Sequence, residues 1–278
     1  MPELPEVETV RRQLSRRIPG RMILRVEVHD PLCVAPADPE ELRVLEGREV
    51  RRVARRGKHL LIHLDDGAAL VVHLRMTGRL LWHAPGRADD ADRFLRAVVA
   101  LDDGSRLAFA DQRRFGRLRV LPAGGDPEAF WRGRVGAEPL GAGFDNAALA
   151  RALRGRSTPV KAALLNQALV AGVGNIYADE ALFRARIHPL TDAGALGPRR
   201  VAALREAIVD VLEQGVATGG ASIRDYADAE GARGGMQDVL RVHLREGEPC
   251  VRCGAVIRKL RVAQRGTYVC PACQRRGR

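Results

Sequence analysis

At 278 residues, with 46% hydrophobic and 29% charged residues, the chain has the make-up of a folded, soluble protein, long enough for two domains and a small appendage. No apolar run approaches the roughly 20 residues of a membrane helix. The first residues also lack the layout of a signal peptide, so a cytosolic location is expected. The formal net charge of +12 points to a polyanionic partner, most simply nucleic acid.

The chain opens Met1-Pro2-Glu3-Leu4-Pro5-Glu6. A small second residue lets the initiator Met1 be removed, leaving Pro2 as a terminal secondary amine. Free α-amino groups titrate near ~7.7–8.0, so a useful fraction is nucleophilic at neutral pH. Attack of such an amine on a sugar aldehyde gives an iminium ion, the electron sink of amine-based covalent catalysis. Glu3 and Glu6 are spaced three apart, on one face of a helix. The same residues are also ordinary helix-start signals, with Pro early and acids in the first turn, and both readings stand at this point. Leu4, Val7, Val10, Leu14 and Ile18 recur at helical spacing, and Pro19-Gly20 ends the helix.

Strand-type segments follow at 23–28, 50–55, 60–64, 69–74, 95–101 and 106–110, several divided by turn signals such as Asp65-Asp66-Gly67 and Asp102-Asp103-Gly104. Short strands in succession without long helices predict a sandwich or barrel-like domain over residues 1–131. From Asn146 the pattern turns helical. Helices are predicted over 160–170, behind a Thr158-Pro159 start, over 176–186, with Asn175 as its cap, and over 198–216. Residues 218–237 are rich in glycine and read as a mobile loop.

The end of the chain is the most unusual part. Residues 241–278 hold ten Lys or Arg against two acids, +8 of the total +12. Cys250-x2-Cys253 and Cys270-x2-Cys273 lie sixteen residues apart, the spacing of two knuckles that give one structural Zn²⁺ four thiolates. Four thiolates leave no open position for catalysis. Segments 256–260 and 267–269 read as a hairpin that presents Arg261 and Arg265 on a rigid basic support.

With these parts in place, the chain resembles the bacterial formamidopyrimidine-DNA glycosylases over nearly its whole length. The resemblance is carried by Pro2-Glu-Leu-Pro-Glu-Val-Glu8, Arg56-Gly57-Lys58, His73-Leu-Arg-Met-Thr-Gly78, Asp111-Gln-Arg-Arg-Phe-Gly116, Ala171-Gly-Val-Gly-Asn-Ile-Tyr-Ala-Asp-Glu180 and the four cysteines. It implies an α+β multidomain fold: an N-terminal β-sandwich with an opening helix (1–131), a helix-two-turn-helix domain (132–240) and a zinc hairpin (241–278). It also implies a monomeric enzyme that binds damaged double-stranded DNA in a cleft, removes 8-oxoguanine and formamidopyrimidines, and then cuts the strand by β,δ-elimination. By position, Pro2 would be the Schiff-base nucleophile, Glu3 the general acid/base and Lys58 a second base. Arg265 would hold the lesion phosphate and serve δ-elimination, with Glu6 ordering the terminus. His73, Arg156 and Asn175 match backbone contacts. Met76, Arg113 and Phe115 match side chains that fill the gap left by a flipped base, an extrusion that costs a few kcal/mol.

Two stretches depart from the family pattern. Arg93-Phe94-Leu95-Arg96 stands where a His is usual, and no DNA contact is carried over there. His243-Leu244 replaces the usual Tyr-Gly before the first cysteine pair, where an imidazole could still donate to a phosphate. Two other functions remain open. One is an endonuclease VIII-like enzyme for oxidised pyrimidines, against which Met76 and the Leu4–Thr9 run weigh. The other is a zinc-ribbon DNA-binding protein without catalysis, against which the intact Pro2, Glu3 and Lys58 weigh.

Overall fold

The computed structural model describes residues 1–86, 94–125, 127–223 and 225–276, so Arg93 of the divergent stretch lies outside the described residues. The chain divides into two compact units, Met1–Phe130 with Thr218–Gly235, and Trp131–Ala217 with Met236–Arg278.

The first unit begins with helix α1 (Leu4–Leu14), whose Leu4, Val7, Val10 and Leu14 are buried as the spacing predicts. Each such side chain contributes about 1.5–3 kcal/mol on leaving water. The helix stops at Leu14, and Ser15–Ile18 continue only as turns. Eight strands follow: β1 (Ile23–Val28), β2 (Val50–Arg56), β3 (His59–Leu64), β4 (Ala69–His73), β5 (Gly78–His83), β6 (Leu95–Leu101), β7 (Arg106–Asp111) and β8 (Arg117–Leu121). They form two antiparallel four-stranded sheets, ordered β1-β6-β7-β5 and β2-β3-β4-β8. Val26, Val99 and Leu107 from one sheet share a core with Leu60, Ile62 and Leu70 from the other, and α1 adds Val7 and Val10. This is the expected sandwich with its opening helix. Strands β5 and β8 are additions to the sequence reading. Each begins beside a turn and carries arginine, which masks the alternation expected of a half-buried strand.

Residues 218–235, placed by the sequence reading in the second domain, cluster with this first unit. The physical reason is polar as well as apolar. Gly220 and Ala221 lie against Glu6, Asp228 accepts from Gln13, and Tyr226 and Ala229 join the sandwich core.

The second unit is helical at first. Helix α2 (Pro127–Trp131) leads into it, then α3 (Asn146–Leu153), α4 (Val160–Leu165), α5 (Asn175–Arg184) and the long α6 (Pro198–Ala217). Asp145 caps α3 by accepting from Ala148 N–H at 2.7 Å. Helix α4 is shorter than the predicted 160–170, because Asn166 turns the chain and Val170 bridges Ala137 instead. The cap of α5 is Gly174, not Asn175, which is the first helical residue and turns its side chain elsewhere. The chain ends in a hairpin of β9 (Arg258–Val262) and β10 (Arg265–Val269), whose turn residues Ala263 and Gln264 both adopt positive φ, +47° and +61°. Two such residues make a tight two-residue turn whose twist matches that of the strands.

Candidate active site and nucleic-acid interface

The amino terminus is held by the start of α1. Glu3 is the N-cap residue and forms a reciprocal capping box with Glu6, whose Oε2 accepts the Glu3 N–H at 2.7 Å. Glu3 is 2% exposed and Pro2 is also buried, while Met1 projects into solvent. Glu6 does a second job: its Oε1 accepts from Ala221 N–H at 2.7 Å, and its backbone carbonyl accepts the Tyr226 hydroxyl at 3.2 Å. Gly220 at φ +85° allows that approach, since a Cβ there would lie 2.8 Å from Glu6 Cγ. One carboxylate thus ties the terminus, the first turn and the 218–235 loop together. The sequence reading identified Glu6 as an ordering group; its loop partners, some 215 residues away, left no local signal.

Lys58 sits in the two-residue turn joining β2 and β3, beside Gly57 at φ +56°, and is 5% exposed. Arg55 connects this turn to α1. Its Nη1 donates to the Gly57 carbonyl at 2.9 Å and its Nε to Glu8 Oε2 at 3.3 Å. Burial works to raise the Glu8 carboxyl, but hydrogen bonds from Arg11 and Arg12 outweigh it and hold it below its ordinary value. The helix that carries Glu3 and the turn that carries Lys58 are therefore joined by one guanidinium. Sequence reasoning missed this link because Glu8 looks like a routine i,i+3 and i,i+4 partner of Arg11 and Arg12.

His73 ends β4 and packs edge-on against His59, with ring centroids 4.4 Å apart. Burial is the main cause that pushes His59 down to about 4 and His73 to about 2, and Arg75 and Lys58 nearby add to it. Both rings are neutral at physiological pH. His73 Nδ1 accepts the Arg75 backbone N–H at 2.9 Å, which assigns its proton to Nε2. His73 is thus a neutral hydrogen-bond donor.

The structure brings Met76, Arg113 and Phe115 into contact. Arg113 Nη1 lies 3.2 Å from Met76 Sδ, and the guanidinium covers the Phe115 ring at 4.8 Å. Met76 is 37% and Phe115 45% exposed, large apolar groups that a soluble surface rarely presents together. Buried Asp111 accepts from Thr77 Oγ1, Arg113 N and Gly116 N, fixing the base of both loops. Gly116 is obligatory here, because a Cβ would lie 2.4 Å from Phe109 Cζ. Arg114, at φ +60°, turns the opposite way and grips buried Asp30 with two bonds of 2.6 and 2.9 Å. Those bonds hold the Asp30 carboxyl below its ordinary range. Asp30 had no signal in the sequence.

In the second unit, Arg156 is exposed after α3, with its Nε donating to the Ala152 carbonyl at 2.8 Å. Asn175 Nδ2 donates to the Gly266 carbonyl at 3.0 Å, next to exposed Arg265 at the hairpin turn. Lys161, fully buried, ion-pairs with Asp179 at 2.7 Å. His243 is also buried, with Nδ1 2.7 Å from Asp179 Oδ2, so that nitrogen is committed inward. Glu180 accepts the backbone N–H groups of Arg241, Val242 and His243.

The four cysteine sulfurs lie within 4.8 Å of one another, with Sγ pairs at 3.5, 3.5 and 4.0 Å. A tetrahedron with ~2.3 Å Zn–S bonds has edges of about 3.8 Å. Backbone N–H groups of Arg252 and Cys273 donate to Cys250 and Cys270 sulfurs at 3.4 Å, the support a thiolate site requires. Cys250, Cys253, Cys270 and Cys273 fit one structural zinc.

Known proteins match throughout. Residues 1–118 fit the model of the formamidopyrimidine-DNA glycosylase N-terminal domain, 135–227 that of the H2TH domain, and 247–276 that of a zinc finger found in FPG and IleRS. The formamidopyrimidine-DNA glycosylase of Symbiobacterium thermophilum is 50% identical over 99% of this chain and 89% of its own length. That of Gloeobacter violaceus is 46% identical over 99% and 98%. Among solved structures, Lactococcus lactis Fpg with abasic-site DNA superposes at a TM-score of 0.90, with 36% identity over 99% of this chain and all of that one. The same enzyme with DNA containing an oxidised pyrimidine gives 0.89 at the same identity and coverage.

Proposed function

The chain belongs to the formamidopyrimidine-DNA glycosylase family, and from that premise we propose that its amino terminus, freed of Met1, performs the chemistry on oxidised purines in duplex DNA. The protein is a base-excision-repair DNA glycosylase with abasic-site lyase activity, and damaged DNA is its partner. No helix among the described residues is long and apolar enough to cross a membrane, and a DNA substrate accords with the cytoplasm and nucleoid.

The observation that carries the residue assignment is the capping box. It buries Glu3 against a fixed helix start, with Pro2 buried directly before it. In this reading the Pro2 nitrogen attacks C1′ of the flipped nucleotide as the damaged base departs. The resulting iminium withdraws electrons, so that loss of a C2′ proton expels the 3′ phosphate, and a second elimination expels the 5′ phosphate. Glu3 moves protons at the sugar, and Lys58 assists proton transfer in β-elimination. Neutral His73, with Arg156 and Asn175, binds backbone phosphates. Met76, Arg113 and Phe115 occupy the space of the extruded base, with the planar guanidinium facing the widowed base. Arg265 holds the lesion phosphate. The zinc supplies structure to the hairpin, and no chemical step passes through it.

The experiment is borohydride reduction during turnover. The trapped adduct should map to the N-terminal peptide beginning at Pro2. An adduct on Lys58, or an active protein that keeps Met1, overturns the assignment of the nucleophile. A second reading, action on oxidised pyrimidines as well, draws support from the Lactococcus lactis complex with such DNA. Cleavage of matched duplexes with each lesion separates the two.

A further inference from the structure

Fully buried charges are a poor way to stabilise a protein, because desolvation offsets most of their attraction and an apolar cluster of similar volume often does as well. Their value lies in direction. In the second unit Lys161 and Asp179 have no exposed side-chain surface, and His243 has 6%. Lys161 Nζ ion-pairs with Asp179 Oδ1 at 2.7 Å and donates to Thr267 Oγ1 at 2.8 Å and to the Gly266 carbonyl at 3.1 Å. Asp179 Oδ2 receives His243 Nδ1 at 2.7 Å and the Tyr268 N–H at 3.3 Å.

The far end of this network is the hairpin turn. With the ammonium donating to its oxygen, the Thr267 hydroxyl directs its own proton to the Arg265 carbonyl, 3.1 Å away. The Gly266 carbonyl takes both Lys161 and Asn175. The carbonyls of Arg265 and of the residue after it are thus held by Thr267, Lys161 and Asn175, and Asp179, itself paired with His243, orients Lys161.

We propose that Asp179 and His243 are positioning residues for Arg265, acting through Lys161 and Thr267 to aim the hairpin turn at its phosphate. The proposal rests on the reading of Arg265 as the group that serves δ-elimination. It gives the imidazole at 243 a role inside the fold: through Nδ1 the ring closes an internal network.

The test uses full-length, zinc-loaded protein on duplex DNA with an abasic site, and reads the ratio of δ- to β-elimination products. His243→Leu should keep one zinc per chain and form the borohydride-trapped adduct normally, while the ratio falls by roughly tenfold, as expected for a small misplacement of a catalytic group. His243→Asn, whose amide N–H can replace Nδ1–H, should restore it. A normal ratio in His243→Leu, or a failure of His243→Asn to restore it, overturns the proposal. If His243→Leu loses zinc, Thr267→Val, which removes only the hydroxyl between Lys161 and Arg265, takes its place, and an unchanged ratio there is equally fatal. Arg265→Ala separates the two claims. If that variant leaves the ratio intact, the assignment of Arg265 fails independently of the network.

Discussion

The two units hold their functional groups by different physics. In the first, a large apolar core shared by two sheets and α1 carries the load, and polar devices such as the Glu3–Glu6 capping box, Arg55 and Asp111 only aim side chains. The hairpin of the second unit has a small core of Phe183, Val242, Ile257, Tyr268 and two cysteines. A cluster of that size cannot order forty residues by burial alone. Metal ligation and a buried ionic network supply the rest. The lesson is that chemistry and grip fail separately: the terminus can lose activity with the fold intact, whereas the hairpin can lose its shape with the terminus intact.

The strongest way to break that comparison is Glu3→Gln. General acid–base groups contribute about 10²–10⁴-fold, so base release should fall by that order while DNA affinity stays nearly constant. Base release within a few-fold of normal would remove Glu3 from its role. Zinc removal should do the reverse, weakening DNA binding by at least about tenfold and flattening its salt dependence as hairpin phosphate contacts are lost. Chelated protein that binds with unchanged affinity and salt slope would contradict the coupling. A smaller effect is expected for Gly220→Ala, whose Cβ meets Glu6 at a backbone angle unsuited to alanine. A cost of about 1–3 kcal/mol should appear as a lower Tm, together with slower trapping at the terminus. A lower Tm with normal trapping would mean that the loop does not steady the terminus.

The smallest effect concerns pH. His59 is pushed by burial from 6.5 to about 4, so folding favours its neutral form. The stability this contributes is complete above about pH 6.5 and is lost as pH falls towards 4, where the unfolded chain binds the proton and the folded chain does not. His59→Phe should flatten the fall in Tm across that window. A slope identical to that of the parent protein would show that the acid sensitivity arises elsewhere.

What was legible in the sequence was whatever is encoded at short range. The strands at 23–28 and 95–101 and the long helix from Pro198 follow from local periodicity, and the structure places them there. The paired cysteines announced a metal site because ligand spacing is a local constraint. The opening Pro-Glu pair was legible as a helix start, and the capping box at Glu3 and Glu6 is that start. Helix α4 was read too long because Asn166 turns the chain to reach a distant bridge, and Asn175 was read as a cap because its partner, Gly266, is 91 residues away.

The sequence by itself therefore determined the family, most of the strands and helices, the zinc ligands and the candidates for catalysis. Only the tertiary structure decided which partners the polar groups around them take: Glu6 on the 218–235 loop, Arg55 between Glu8 and Gly57, Asp30 under Arg114, and Asp179 between Lys161 and His243. The physical reason is one of range. Propensity, capping and ligand spacing act over a few residues, whereas a buried carboxylate takes its meaning from whichever donors the fold brings within about 3 Å, and those donors lie tens to hundreds of residues away.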